Sequence, residues 1–382
     1  MKIDGVPLET LRTRTSAKWT GFAADILPMP VAEMDFELAE PIRETLMALL
    51  LNSDTGYLGN TDYLTESFAA FSKERWNWAV KKEQFFVCAD VSVGAIEMAR
   101  TIVEPGAKIM INSPNYLSMY NWIQELKCEV LDAPMKQDGL NFMLDLTAIE
   151  EGYRAGAKIH FLCNPQNPTG SVHSRADLEA LADLSVKYGV YVFSDEIHGA
   201  LVFDEAEFIP YLSISENARE YGVCITAASK AWNLAGLKCA FIITDSERML
   251  EFAKKMPMSV RYRASLFGAH ASAKAFECTQ WLDALMETLD RNRKFLADQL
   301  AEKLPKALYR VPNCTYLAWI DMSAYELGEN PSEFILAHGK LALSAGYLFG
   351  PNSAQYVRLN FGTSEEIIAE GVDRLVQAVN AS

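Results

Sequence analysis

The chain has 382 residues, 50% of them hydrophobic and 22% charged, with a formal net charge of −15 at pH 7. It is long enough to bury a large core and to form one large and one smaller domain, while the acidic balance argues against nucleic acid or an anionic membrane surface as a partner. No apolar run approaches the roughly 20 residues that span a bilayer, and the opening MKIDGVPLET lacks the apolar core of a signal peptide, so cytoplasmic residence is expected.

Residues 1 to 45 show little regular pattern, with prolines in LPMP and AEP marking turns, and read as an N-terminal arm. Arg12, Arg14 and Lys18 on this arm read as solvated positive charge. From about Glu40 helical periodicity alternates with short apolar runs, the pattern of an α/β domain with a mainly parallel sheet over residues 46–280. The strand candidates are KIMIN (108–112), KIHFLCN (158–164), VYVFSDE (190–196), VCITAAS (223–229) and CAFIIT (239–244). Between two of them Ser174 and Asp177 form a capping box, Leu178, Leu181 and Leu184 recur at helical spacing, and Gly189 supplies the stop. Trp76 and Trp78 read as core.

Residues 281–382 read as a small domain. It opens on the helical run WLDALMETLDRNRKFLADQL; Asn330-Pro331 reads as a further helix start, and Thr363 with Glu366 as the capping box of the last helix. The seven cysteines are scattered without a C-x-x-C pair or neighbouring histidines, so they read as small buried hydrophobes and no metal site is expected. His173, His270 and His338 read as structural or exposed.

In an open parallel sheet, ligands sit beyond the carboxyl ends of the strands, and four such places carry chemistry. Lys230, in ITAASKAWNLAGLK, follows an apolar run, and a partly desolvated lysine is a nucleophile that can hold pyridoxal phosphate (PLP) as a Schiff base. Asp195 in SDEIH ends a strand, where a carboxylate can keep a pyridine nitrogen protonated. Asn167 in NPQNPTG can offer an amide donor to a phenolate-like oxygen. In DVSVGAIEMAR a strand passes into a helix through Ser92, Val93 and Gly94, and N–H groups at a helix start suit a phosphate.

Together these strings resemble the fold type I PLP-dependent enzymes of the aspartate aminotransferase superfamily, and more narrowly the MalY/PatB branch of cystathionine β-lyase-like carbon–sulfur lyases. The narrower match rests on RTSAKW, VAEMDF, NPQNPTG, SDEIHGALVF, SKAWNLAGL, NCTYLAWIDM and YVRLNFG, which run through nearly the whole chain. The resemblance implies a large domain with a mainly parallel seven-stranded sheet between helices, a smaller α+β C-terminal domain, and an arm packing with the latter. It implies a homodimer acting on a small amino-acid substrate. Lys230 would carry PLP and act as the base on the substrate Cα, Asp195 would pair with the pyridine nitrogen, and Asn167 and His198 would face the ring oxygen. Tyr116 would stack on the ring. The amides of Ser92 and Val93, the Ser229 hydroxyl, Lys238 and Tyr57 of a neighbouring subunit would hold the phosphate, and Arg358 would grip the substrate carboxylate. Lys238 stands where most of the superfamily has arginine, Asp90-Val91 where the branch commonly has glycine, and Ala227-Ala228 where a more polar pair is usual. The implied reaction is α,β-elimination from a β-thioether amino acid. Transamination uses the same residues, and a regulatory role of the PLP fold is the alternative outside catalysis.

Overall fold

The structure is a computed structural model and describes residues 2–382. Helix α1 (Glu40–Leu51), with Pro41 in its first turn, begins inside the stretch expected as arm, and α2 (Asp62–Trp76) follows it. The large sheet has strands β1 (Phe85–Cys88), β2 (Lys108–Ile111), β3 (Glu129–Asp132), β4 (Ala157–Cys163), β5 (Tyr191–Asp195), β6 (Gly222–Thr226) and β7 (Ala240–Ile243). Their order is β1-β7-β6-β5-β4-β2-β3. β7 runs antiparallel to both neighbours, and all other pairs are parallel. The central strands are continuous apolar runs because both faces are covered; every residue of β6 and β7 is buried. All five expected strands form. Because β7 is reversed, the residues just before it share one sheet edge with the residues just after the parallel strands.

Helix α3 (Val91–Ala99) starts one residue earlier than the expected turn through Ser92, because Asp90 caps it: the Asp90 carboxylate accepts the Val93 N–H at 2.9 Å. Helix α4 (Arg175–Tyr188) has the expected ends. Ser174 Oγ accepts the Asp177 N–H at 3.1 Å, and Gly189 closes the helix at φ +67°. On the sheet face opposite α3, which α4 shares, Phe68 meets Trp76, Trp78 and Phe85 edge to face, so both tryptophans pack as core.

The 25-residue helix α5 (Thr279–Lys303) leads into a four-stranded antiparallel sheet of β8 (Leu308–Tyr309), β9 (Leu317–Asp321), β10 (Ser344–Ala345) and β11 (Tyr356–Asn360), ordered β8-β9-β11-β10. The closing helix α6 (Glu365–Val379) is capped by Ser364, which accepts the Ile367 N–H, and not by Thr363, whose buried hydroxyl has no partner among the described residues.

The arm packs on this smaller unit. Met29 donates its N–H to Ala342 and accepts that of Asn360, and Asp35 donates to Gly362. Lys18 is not the solvated charge its sequence context suggests. Its side chain is 1% exposed and its ammonium lies 2.6 Å from Asp35, which also accepts the Trp19 indole N–H at 3.3 Å. Burial pushes the Lys18 pKa down, and Asp35 opposes the shift. Arg12 is exposed and donates to the Ala24 carbonyl, while Arg14 is half-buried and donates to the Phe36 carbonyl at 3.3 Å.

A buried ion pair is costly to break from one side, since the surviving charge has no water to turn to. Asp35→Ala is expected to lower stability by about 3–5 kcal/mol, read as a drop in the urea midpoint, whereas Lys18→Met with Asp35→Leu restores most of the loss. Equal midpoints for the wild type and Asp35→Ala would show that this pair does not hold the arm.

Candidate active site

The shared sheet edge opens into a cavity of about 440 Å³. Strand β5 delivers Asp195, the turn after β6 delivers Ser229 and Lys230, and the approach to β7 delivers Lys238. The loop after β4 brings Asn167, the turn after β2 brings Tyr116, and α3 brings Ser92. His198 comes from the turn after Asp195, and Arg358 reaches in from β11 of the smaller unit. Two expected site residues stand apart. Val93 does not line the cavity, and its N–H is spent on the Asp90 carboxylate. Tyr57, between α1 and α2, is 89% exposed and outside it.

Arg358 is buried and fully engaged on one side. Nη1 donates to Asn167 Oδ1 at 3.0 Å, and Nη2 donates to the Pro30 carbonyl at 2.9 Å and to Ser344 Oγ at 3.3 Å. Because a guanidinium can only donate, this contact fixes the Asn167 amide with its oxygen toward Arg358 and its NH₂ left for the cavity. Arg358 Nε is buried without a partner, and burial pushes the group down to about 10.

Lys230 Nζ donates to the Ala32 carbonyl at 3.0 Å. Burial first and then the Arg358 charge lower its pKa to about 8, against a smaller upward pull from Asp195. Burial raises the Asp195 carboxyl to about 7, because its one described hydrogen bond is the Ile197 N–H at 3.2 Å and no cation pairs with it. His198 is pushed down to about 3 by burial, then by Lys230 and Arg358, so its imidazole is neutral. Its Nδ1 is buried without a partner among the described residues.

The arm crosses this cavity as a strap whose carbonyls are held one after another by side chains. Pro30 accepts from Arg358 and Ser344, Val31 from Asn360 at 2.7 Å, and Ala32 from Lys230 and from the Tyr316 hydroxyl at 2.9 Å. Glu33 accepts from Asn360 and Lys18, and Met34 from Asn233. Sequence reading did not assign roles to Asn360, Tyr316 or Ser344. Asn360 was within reach of it, since it lies two residues after Arg358 on one strand and therefore on the same face.

The donor set fits PLP. A buried carboxylate without a cation suits a protonated ring nitrogen; a free amide NH₂ and a neutral imidazole suit the ring oxygen; and Tyr116 presents a ring to the cavity. The first-turn N–H groups of Val91 and Ser92 have no partner within α3, which leaves them to a phosphate.

The comparisons with known proteins agree. Residues 25–375 match the family model described as aminotransferase class I and II. A Mycobacterium tuberculosis protein provisionally named cystathionine β-lyase is 37% identical, covering 99% of this chain and 98% of the relative. Cystathionine β-lyase of Corynebacterium glutamicum is 33% identical over 97% of this chain and 99% of its own. A crystal structure from Corynebacterium diphtheriae, provisionally named a PLP-dependent β-cystathionase, superposes with a TM-score of 0.94 at 31% identity and covers 99% of both chains. The chain belongs to the class I and II aminotransferase family, a PLP-dependent family of fold type I.

Proposed function

We propose that this protein is a PLP-dependent carbon–sulfur β-lyase that eliminates the thiol from L-cystathionine or related S-substituted cysteines, leaving pyruvate and ammonia. The observation that carries the reading is the convergence on one cavity of a lysine amine lowered to about 8, a buried carboxylate without a cation and an arginine with an unspent Nε. The lyase names of relatives 33–37% identical favour elimination over transamination.

When bound, PLP withdraws the electrons left on the substrate Cα after proton removal. Lys230 takes that proton, and the downward shift of its pKa supplies a neutral amine near physiological pH. Arg358 binds the substrate carboxylate through its free edge and orients the Cα–H toward Lys230. Asp195 would pair with the ring nitrogen and keep it protonated, supplying the cation that its buried carboxylate lacks. The Asn167 amide and the neutral His198 imidazole would face the ring oxygen without adding a positive charge. The Cβ–S bond breaks as the Cα carbanion's electron pair forms the new double bond. The thiolate departs and is protonated, and addition of one water to the three-carbon fragment yields pyruvate and ammonia.

We also propose a homodimer in which Tyr57 reaches the neighbouring site. Tyr57, Met258 at 73% and Tyr262 at 57% exposure are large apolar groups facing outward, and Arg261 ties their segments together through the Gly59 carbonyl at 2.9 Å. Cytoplasmic residence is the compartment we infer, supported by seven cysteines that are all unpaired. Among the described residues no helix is long and apolar enough to cross a membrane.

Purified protein loaded with PLP and given L-cystathionine is expected to form pyruvate and free thiol in equal amounts, and Lys230→Ala to lose at least about 10³-fold of that rate. Keto-acid-dependent amino transfer that outpaces pyruvate formation would replace the reading by an aminotransferase. A biological effect that survives Lys230→Ala would point to regulation. For cofactor-free protein, the rate constant for capturing PLP rises with pH, because only the neutral amine attacks. It should level near pH 8 and not near the usual 10.5 of lysine, and a plateau at pH 10 would mean a solvated amine. Sedimentation at micromolar concentration is expected to give twice the 42.6 kDa chain mass; a monomer carrying full activity would remove Tyr57 from the site.

A further inference from the structure

Four donors at or beside the phosphate end of the cavity have different fates. The Val91 and Ser92 N–H groups, at the positive end of α3, are free for a ligand. The Val93 N–H is taken by Asp90 Oδ1 at 2.9 Å, and the Lys238 ammonium donates to Asp90 Oδ2 at 3.3 Å. One carboxylate therefore occupies both the third amide of the helix start and the Lys238 ammonium at this end of the cavity. The arrangement is anchored on both sides. Asp90 is the helix cap, its carbonyl accepts the Gly94 N–H, and it lines the cavity. Lys238 sits in the left-handed region at φ +56°, with its carbonyl accepting the Ser265 N–H at 2.9 Å, which fixes where its side chain starts.

We propose that Asp90 sets how tightly this site holds the phosphate end of PLP, by acting as a built-in competitor for that anion. The inference rests on the PLP reading above. A phosphate carries up to two negative charges at neutral pH and meets a fixed carboxylate beside the donors it needs. Asp90 already neutralises much of the Lys238 charge, so whether Lys238 turns to the phosphate or bridges both anions, its net contribution to the phosphate is reduced. Affinity then falls mainly to the two free amides, to the Ser229 hydroxyl and to the bond with Lys230. The consequence is a cofactor held by its aldehyde more than by its phosphate.

The test is a titration of the cofactor-free full-length protein with PLP and with pyridoxal, which lacks the phosphate, followed by absorbance and by tryptophan fluorescence. Asp90→Asn keeps a good helix cap while removing the charge, and Asp90→Ser is a second cap-retaining variant should the first fold poorly. Either is expected to lower the PLP dissociation constant about tenfold, the scale of one charge contact in a partly exposed site, with pyridoxal unchanged. Lys238→Ala is expected to weaken PLP by less than about threefold in the wild type but about tenfold once Asp90 is Asn, because only then is the ammonium free. Unchanged or weaker PLP binding by both Asp90 variants, at wild-type melting temperature, would overturn the proposal, as would an equal gain for pyridoxal. Failure of the wild type to bind either aldehyde would instead overturn the PLP reading and this inference with it.

Discussion

The stretch from Pro30 to Met34 runs across the active cavity without regular secondary structure, and its carbonyl groups must still find donors. Side chains supply them: Asn233 and Lys230 from the large unit, Arg358, Asn360, Ser344 and Tyr316 from the smaller one, and Lys18 from the arm itself. The strap is thus the seam between the two units, and the lysine and arginine proposed to act on the substrate are part of what closes it. This creates a tension, because a group committed to structure is not free to react. The pairing of donors resolves it. A carbonyl oxygen has two lone pairs, and Ala32 is shared by Lys230 and Tyr316, as Pro30 is by Arg358 and Ser344. If Lys230 turned to a substrate proton as proposed, Tyr316 would keep the Ala32 carbonyl satisfied, so the seam need not open.

The same enclosure explains the electrostatics. Lys230, His198 and Arg358 are all pushed down and Asp195 is pushed up, and burial is the largest cause in each case. Each shift favours the neutral form, as expected of ionisable groups gathered where water is scarce. An amino-acid substrate and a phosphorylated cofactor bring charges of both signs into this space. In the proposed roles the ring nitrogen would meet Asp195 and the substrate carboxylate would meet Arg358, so each arriving charge would relieve a shift that burial had imposed. The site is therefore stable enough to fold yet incompletely satisfied, with Nδ1 of His198 and Nε of Arg358 left over.

How far the sequence reveals this follows from what each signal measures. The central strands were legible because strands buried on both faces are unbroken apolar runs. The outer strand β3 was not, because with Glu129 and Val130 exposed it reads EVLD, which carries no apolar run; β1 was also not identified, although it reads FFVC. Asp90 was legible as a departure from a family pattern but not as a helix cap, although Asp at a strand-to-helix junction is a standard cap signal. Ser364 and Thr363 are both good caps by residue type, and only the backbone separates them. Lys18 could not be read as buried, because its partner Asp35 lies 17 residues away and nothing local marks the pair.

Cavity size does not locate the chemistry in this molecule. A larger cavity, of about 770 Å³, lies beside Trp76, Phe203 and Phe208 and is lined by seven carboxylates. Those charges are paired or solvated: Arg75 meets Asp283, Lys294 meets Asp290, and Arg293 binds Glu205 and holds its carboxyl below the usual range. An acid already stabilised by a cation and by water gains little by giving up or taking a proton. In the smaller cavity the reverse holds. Lys230 and Asp195 are enclosed, neither has an ion-pair partner, and their pKa values are drawn toward one another, to about 8 and about 7. Burial, not size, thus leaves the smaller cavity with groups able to take up or release a proton near neutral pH, and this marks it as the place for the chemistry.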